Sequence, residues 1–411
     1  MPWRLDTIIV GGGLAGGLCA LALAHEGLDV ALIDAQAPER FREESFDSRT
    51  TALAYASARV FRRLGLWPAI ADHAEPIRDI LVTDGRAPSP TRRSAASAFH
   101  LHFDSGELET GEPLGFIVEN RALRAAIYDR IAAAPRIRLF APARAGAPDF
   151  SGGAARLSLA DGTALEAALI IAADGKASPL RAAAGIRVNS WRYAQTAIVT
   201  TVAHERPHEG VAQELFLPAG PFAILPLTDN RSSIVWTERR EAAPAFLALD
   251  DAAFLAELSR RFGDYLGRLS LAGPRFGYPL AFHLAQSFAA PRLALIGDAA
   301  HAIHPIAGQG YNLGVKDIAA LAETLGDAAG LGLDIGSMAT LERYQRWRRF
   351  DSATLAFGTD ALNRLFSNDW GPLRLARDLG MGAVNAVGPL RSFFMRQAGA
   401  DVGRLPALMM R

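Results

Sequence analysis

The sequence predicts an α/β fold, and three observations carry that reading. The apolar run Thr7-Ile8-Ile9-Val10 leads into Gly11-Gly12-Gly13-Leu14-Ala15-Gly16 and then into a helical pattern from Leu18 to Ala24. A second apolar strand, Asp29 to Ile33, ends at Asp34. Far down the chain a buried-strand pattern, Arg292 to Ile296, runs into Gly297-Asp298.

Strand, glycines, helix, strand and acid in this order are what a Rossmann-like dinucleotide-binding unit requires. Gly11 permits the tight turn, Gly13 lets backbone approach a pyrophosphate, and Gly16 lets the helix pack closely on the strand. The N-terminus of the helix that follows offers oriented N–H groups to the phosphates, and Leu14 and Ala15 join the glycines as candidate cofactor contacts. Asp34 can accept hydrogen bonds from ribose hydroxyls and disfavours a 2′-phosphate. Residues 168 to 173 form another hydrophobic strand, which ends at Asp174-Gly175. Gly297 and Asp298 end the last one, where an acceptor-only carboxylate suits a chain of hydroxyl donors. The loop Pro305 to Asn312, with Gly308, Gly310 and Tyr311, precedes a helix expected over 315–325. Backbone N–H groups at such a helix start stabilise negative charge.

The rest of the chain is organised around these segments. Residues 1–75, 115–185 and 275–330 carry βα patterns and form a discontinuous nucleotide-binding domain. Residues 76–114 and 186–274 read as strands and turns, an inserted β-sheet that makes a substrate domain. Thr196 to Ala203 and Gln213 to Leu217 are extended, and Phe222–Leu227 with Ser233–Thr237 form a hairpin around Asp229-Asn230. Thr83 to Ser97, rich in Pro, Ser, Ala and Arg, is the expected flexible stretch. Residues 331–411 form a C-terminal helical region.

Composition bounds the function. With 411 residues, half of them hydrophobic, the chain can bury a large core. Its 43 basic and 43 acidic residues give no bulk field for nucleic acid. The single cysteine, Cys19, excludes an internal disulfide and a cysteine-based metal cluster, and suits a reducing compartment. Five residues before Asp6 leave no room for a signal peptide, and no apolar run is long enough to span a bilayer. The expected location is cytoplasmic. His301 and His304 lie three apart but lack further ligands beyond Asp298, so no metal site is expected.

Taken with Asp47-Ser48-Arg49, Val118 to Leu123, Ala173 to Arg181 and Gly220 to Leu227, these segments resemble the class A FAD-dependent aromatic monooxygenases. The stretch Gly297 to Asn312 is similar to that of their ubiquinone-biosynthesis branch, the polyprenyl-phenol hydroxylases. The resemblance covers nearly the whole chain. It implies a para-hydroxybenzoate hydroxylase-like fold and FAD as cofactor. It also implies that Arg49 and Asn120 contact FAD, Asn120 standing where Gln or Arg is commoner. Asp174 would support the flavin nucleotide and the transient reductant site, with Arg181 bracing it. Asp298 would meet the ribityl chain, and Pro305, Gly308, Gly310, Tyr311 and Asn312 would bring helix N–H groups to the flavin ring.

The implied chemistry is hydroxylation of a phenol by a flavin C4a-hydroperoxide, with O2 and NAD(P)H or another electron donor. The substrate would be a polyprenyl phenol held in an apolar cavity for which Phe216, Phe222, Ile224 and Leu225 are candidates, although ordinary core packing is the favoured reading of these four side chains. No phenol-deprotonating base is identifiable. The C-terminal stretch carries arginines at 374, 377, 391, 396, 404 and 411 against Asp378 and Asp401, beside Phe393-Phe394-Met395. Three readings remain open for it: peripheral contact with an anionic inner membrane, packing on the core, and a face for other ubiquinone-biosynthesis proteins. Hydroxylation of a small soluble aromatic compound is the alternative activity. A non-catalytic flavoprotein scaffold is a further one, and a halogenase is disfavoured by the absence of its Trp-x-Trp-x-Ile-Pro motif.

Overall fold

The structure is a computed structural model that describes residues 3–42, 49–85, 100–108, 111–367, 377, 380–382, 384–385 and 387–411. Its first sheet is parallel at the centre, in the order Ile137–Phe140, Val30–Ile33, Trp3–Val10, Ala164–Ala172, Leu293–Leu295. The short strand Ala289–Ala290 closes one edge antiparallel. Parallel strands are covered on both faces and so read as continuous apolar runs. Val30 to Ile33 and Leu293 to Ile296 are accordingly buried throughout.

Helix Leu14–His25 packs on this sheet and starts four residues before the expected boundary, because Gly13 serves as its N-cap. Cys19 is buried within it, and burial pushes its thiol well above the usual range, as suits a packing residue. Helix Gln309–Gly330 likewise starts earlier than expected. Gly308 caps it at φ +62°, so Gln309 to Asn312 form its first turn instead of a preceding loop.

The second sheet has nine strands among the described residues. Its spine is Val188–His204, flanked by Phe276–Ala285 and Arg231–Arg239. Gly220–Leu227, Val211–Leu217, Asp79–Asp84 and His100–Asp104 then follow in order. The expected hairpin forms, with Leu227 opposite Arg231 and both Asp229 (φ 64°) and Asn230 (φ 52°) left-handed. Of the stretch expected to be flexible, Thr83 and Asp84 instead finish a strand, while 86–97 lies outside the described residues. A small third sheet, Thr50–Ala54, Gly115–Glu119 and Ala74–Ile77, is built from segments on either side of that stretch.

Strand parity divides the four cavity candidates between core and cavity. Side chains alternate between the faces of a strand, and Phe222 and Ile224 point away from the cavity described below, into a core with Trp236 and Phe254. Phe216 and Leu225 face the cavity.

The C-terminal region begins with helix Met338–Phe366, packed along Gln309–Gly330. Between these two helices lies a buried charge cluster. Asp317 Oδ1 accepts from Arg348 Nε at 2.8 Å, and Asp317 Oδ2 lies 2.5 Å from His301 Nε2 and 3.4 Å from the backbone nitrogen of Gly297. Asp317 and Arg348 are fully buried. Mutual charge offsets their desolvation only while both partners remain. Arg348→Met should therefore lower stability by about 3–5 kcal/mol, read as a large drop in melting temperature; a shift of a degree or two would show that the cluster is not holding these helices.

Candidate functional site

Three adjacent parallel strands end together at one edge of the first sheet. Val10 is in register with Ala172, and Ala172 with Leu295. Each is followed within three residues by a glycine with positive φ: Gly11 at 101°, Gly175 at 86° and Gly297 at 55°. The chain thus turns sharply three times at the carboxyl edge of the sheet, where open α/β folds bind ligands.

At the first turn a Cβ on Gly11 would overlap the carbonyl of Ala173, and one on Gly16 would overlap the carbonyl oxygen of Gly11. A Cβ on Gly13 would meet nothing within 4 Å among the described residues. The space before the helix start is therefore open, and helix Leu14–His25 has no side-chain cap on its first N–H groups. Asp34 closes the turn from below. Its Oδ2 accepts from Gly12 N at 2.5 Å and its Oδ1 from Gln36 N at 2.7 Å. The remaining lone pairs are available to a ribose. The sequence did not foretell that Tyr128 OH donates to the Gly12 carbonyl at 2.8 Å, locking the same turn from helix Asn120–Ala132.

The two distant glycine segments meet. A Cβ on Gly297 would come within 3.2 Å of Ala15 Cβ, and Tyr311 OH donates to the Leu14 carbonyl at 3.3 Å. Asp298, in the turn Gly297–Ala299, is exposed. Asp174 accepts from Leu180 N through Oδ2 at 3.3 Å, while its buried Oδ1 has no hydrogen-bond partner among the described residues, and burial raises its carboxyl above the ordinary range. Arg181 was expected to brace Asp174: its charge favours that carboxylate, while its guanidinium donates to the carbonyls of Ala299 (2.8 Å) and Lys176 (2.7 Å), tying the second turn to the third.

Other candidates are occupied differently from expectation. The Asn312 side chain is committed to protein: Oδ1 accepts from Ala54 N at 2.9 Å, and Nδ2 donates to Ala52 O at 2.8 Å and Gly308 O at 3.2 Å. It clamps the helix start onto strand Thr50–Ala54, so only its backbone remains for a flavin. Asn120 is buried, and its Oδ1 accepts from Thr51 Oγ1 at 2.6 Å. Arg49 is exposed with its guanidinium 5.5 Å from the Tyr278 ring. Pro305 precedes the turn Ile306–Gly308, and a Cβ on Gly310 would meet nothing within 4 Å among the described residues. Open backbone at Gly13 and Gly310, an unpaired Asp174 oxygen and the exposed Asp298 carboxylate fit a long dinucleotide lying across the three turns. His301 is held by Asp317, and His304 Nε2 lies 3.3 Å from Gln195 Oε1. No group of three or more metal-ligating side chains occurs among the described residues.

A cavity of about 530 Å³ adjoins the helix start. At one end are Ala52 to Ala54, Gln309 and Asn312; its walls are the second sheet and helices Met338–Phe366 and Gly388–Ala398. Leu362, Leu365 and Phe394 line it and are also exposed to solvent, so they form an apolar rim.

The C-terminal arginines are less available than their sequence suggests. Arg377 is buried against Asp84 at 2.9 Å, Arg391 pairs with Glu107 at 2.8 Å, and Arg404 reaches Glu323 at 3.2 Å. Arg396 and Arg411 are exposed; Arg374 and Asp378 lie outside the described residues. Among the described residues no helix is long and apolar enough to cross a membrane.

Gly13→Val should leave a folded protein that retains no FAD, because its side chain enters the open space, whereas Gly16→Ala should already lower the melting temperature. Equal flavin retention by Gly13→Val and the parent would misplace the phosphates. A second expectation concerns pH. Burial pushes His283 and His304 down to about 4 from an ordinary 6.5. Below pH 6.5 the unfolded chain takes up protons that the folded one refuses, so stability should fall as pH drops from about 6.5 towards 4, with a limiting slope of about two protons. Denaturant titrations across that window check it, and a flat profile would show that both rings charge freely in the fold.

Comparison with known proteins agrees with this geometry. Residues 4–350 match the family described as FAD binding domain. The chain is 48% identical to the ubiquinone hydroxylase UbiL of Rhodospirillum rubrum, covering 99% of this chain and 92% of that protein. It is 35% identical to the 3-demethoxyubiquinol 3-hydroxylase of Escherichia coli, covering 96% and 98%. Among solved structures, p-nitrophenol 4-monooxygenase PnpA from Pseudomonas putida superposes with a TM-score of 0.79 at 19% identity, covering 98% of this chain and all of that one, and so shares the fold. The chain belongs to the FAD-binding monooxygenases and, within them, to the ubiquinone hydroxylases: it is a flavin-dependent aromatic-ring monooxygenase.

Proposed function

We propose that this enzyme hydroxylates the ring of a polyprenyl phenol in ubiquinone biosynthesis, using O2 and NAD(P)H. The observation that carries this reading is the apolar cavity that begins at Ala52 to Ala54 and the helix start and reaches the apolar rim at Leu362, Leu365 and Phe394. A small soluble phenol needs no such length of apolar wall; an isoprenoid tail does. The names of the relatives support the quinone pathway.

FAD would be held by Gly11, Gly13, Leu14, Ala15, Gly16 and Asp34 at the first turn, by Asp174 at the second and by Gly297 and Asp298 at the third. Arg49, Asn120, Pro305, Gly308, Gly310, Tyr311 and the Asn312 backbone would complete the site. Reduced FAD supplies the activation of O2 that a closed-shell aromatic ring lacks. The chain's own residues bind and orient. N–H groups at the start of helix Gln309–Gly330 offer positive potential to the ring end of the cofactor, and the apolar walls exclude water from the reacting centre.

Access is part of the same proposal. With Arg391 paired to Glu107, membrane contact falls to exposed apolar side chains on helix Gly388–Ala398, chiefly Leu390 and Phe393, and to the exposed Arg396.

FAD-loaded protein given NAD(P)H, O2 and a polyprenyl phenol in vesicles should add one oxygen atom to the ring, seen by mass spectrometry. Leu390→Glu with Phe393→Glu should weaken vesicle binding and this turnover while sparing any soluble phenol that is accepted. Turnover confined to small soluble phenols would replace the proposal with the alternative activity.

A further inference from the structure

The cavity is lined mostly by apolar groups, so its few polar side chains decide how a ring bearing a hydroxyl lies in it. Most of those side chains are already committed. Arg377 is held by Asp84 and by the Leu365 carbonyl at 2.7 Å. Asn312 is bound to strand Thr50–Ala54 and to Gly308. Gln309 Nε2 donates to the Ala398 carbonyl at 2.9 Å, and Thr359 Oγ1 to the Ala356 carbonyl at 3.0 Å.

Gln397 differs. Its Oε1 is buried with no donor, and its side chain makes no hydrogen bond among the described residues. It sits beside Ala398, the residue that Gln309 binds, and lines the cavity together with Ala52 to Ala54. That is the end at the start of helix Gln309–Gly330, with Phe394 of the rim one turn before Gln397 on helix Gly388–Ala398. A buried acceptor without a donor is a cost that an incoming hydroxyl removes. The last torsion of a glutamine is broad, so the amide can turn its oxygen onto such a group.

We propose that Gln397 is the residue that positions the substrate ring, its amide oxygen accepting the hydrogen bond of the phenol hydroxyl at the cofactor end of the cavity. The inference rests on the phenol reading above. It adds that the C-terminal helix reads the ring, as well as walling the tail.

A site that bonds a hydroxyl rejects the analogue lacking it. The probes are a short-chain polyprenyl phenol and the same molecule without its hydroxyl, titrated against FAD-loaded enzyme by flavin fluorescence. The parent should prefer the phenol by about three- to tenfold, the range of one hydrogen bond to a neutral group. Gln397→Met should abolish the preference with FAD content and melting temperature kept, and should lower the share of consumed NAD(P)H that appears as hydroxylated product. Gln397→Glu, which retains an acceptor, should keep the preference, and so should Gln213→Met on the sheet wall. Should the Met variant fail to load FAD, Gln397→Ala makes the same comparison without added length.

No preference in the parent, a preference surviving in Gln397→Met, or one lost only in Gln213→Met overturns the inference. A Gln397-dependent preference without hydroxylation sustains it while defeating the hydroxylase reading. Hydroxylation without any preference does the reverse.

Discussion

Everything at the proposed cofactor site depends on three neighbouring parallel strands ending in register. Val10, Ala172 and Leu295 stand side by side, and after each the chain turns through a left-handed glycine. Residues with a Cβ adopt that conformation at a cost. The turns also crowd one another: Gly11 lies under the Ala173 carbonyl, Gly16 under the Gly11 carbonyl and Gly297 against Ala15. Small residues are therefore demanded twice over, by backbone angle and by contact. Backbone amides and carboxylates are left as the groups that face outward.

Such an edge needs support from behind. The third turn is held by Asp317, whose Oδ2 faces both Gly297 N and His301, and Asp317 is neutralised by Arg348 from the next helix. Arg181 ties the third turn to the segment after the second, and Tyr128 ties the first to helix Asn120–Ala132. Buried charge is a costly fastening. Its benefit here is directional: a packed leucine would fill the same volume without fixing where Gly297 N points.

How much of this was legible in the sequence follows from the range of each interaction. The strand, turn and helix of residues 3–25 were legible because their signals are local, and Asp229-Asn230 announced its hairpin by turn chemistry alone. The helix starts at Leu14 and Gln309 were missed because glycine caps carry no side-chain signature. Which face Phe222 and Ile224 take depends on strand register, which no single strand encodes. The pairing of Arg377 with Asp84, and of Arg391 with Glu107, joins residues from opposite ends of the chain. Composition therefore suggested a basic surface where the fold largely neutralises one. The role of the Asn312 side chain as a clamp on strand Thr50–Ala54 was not legible, since an amide that bonds strand backbone carries no distinguishing sequence signal.

The consequence is a division between the two ends of one cavity. At the helix start, polar backbone is plentiful and side chains such as Asn312 serve to hold it in place. Towards the rim, the lining is mostly aliphatic and aromatic, and of the two charged side chains on its walls, Arg377 and Glu214, Arg377 is paired with Asp84. An apolar wall discriminates weakly between molecules of similar shape, because one methylene changes binding by only about 1–3 kcal/mol. The length of the proposed isoprenoid tail would thus be loosely read. Discrimination concentrates where a buried polar group must find its partner, which places the chemical identity of the ring under the control of a few side chains near the turns and leaves the rest of the cavity to keep water out.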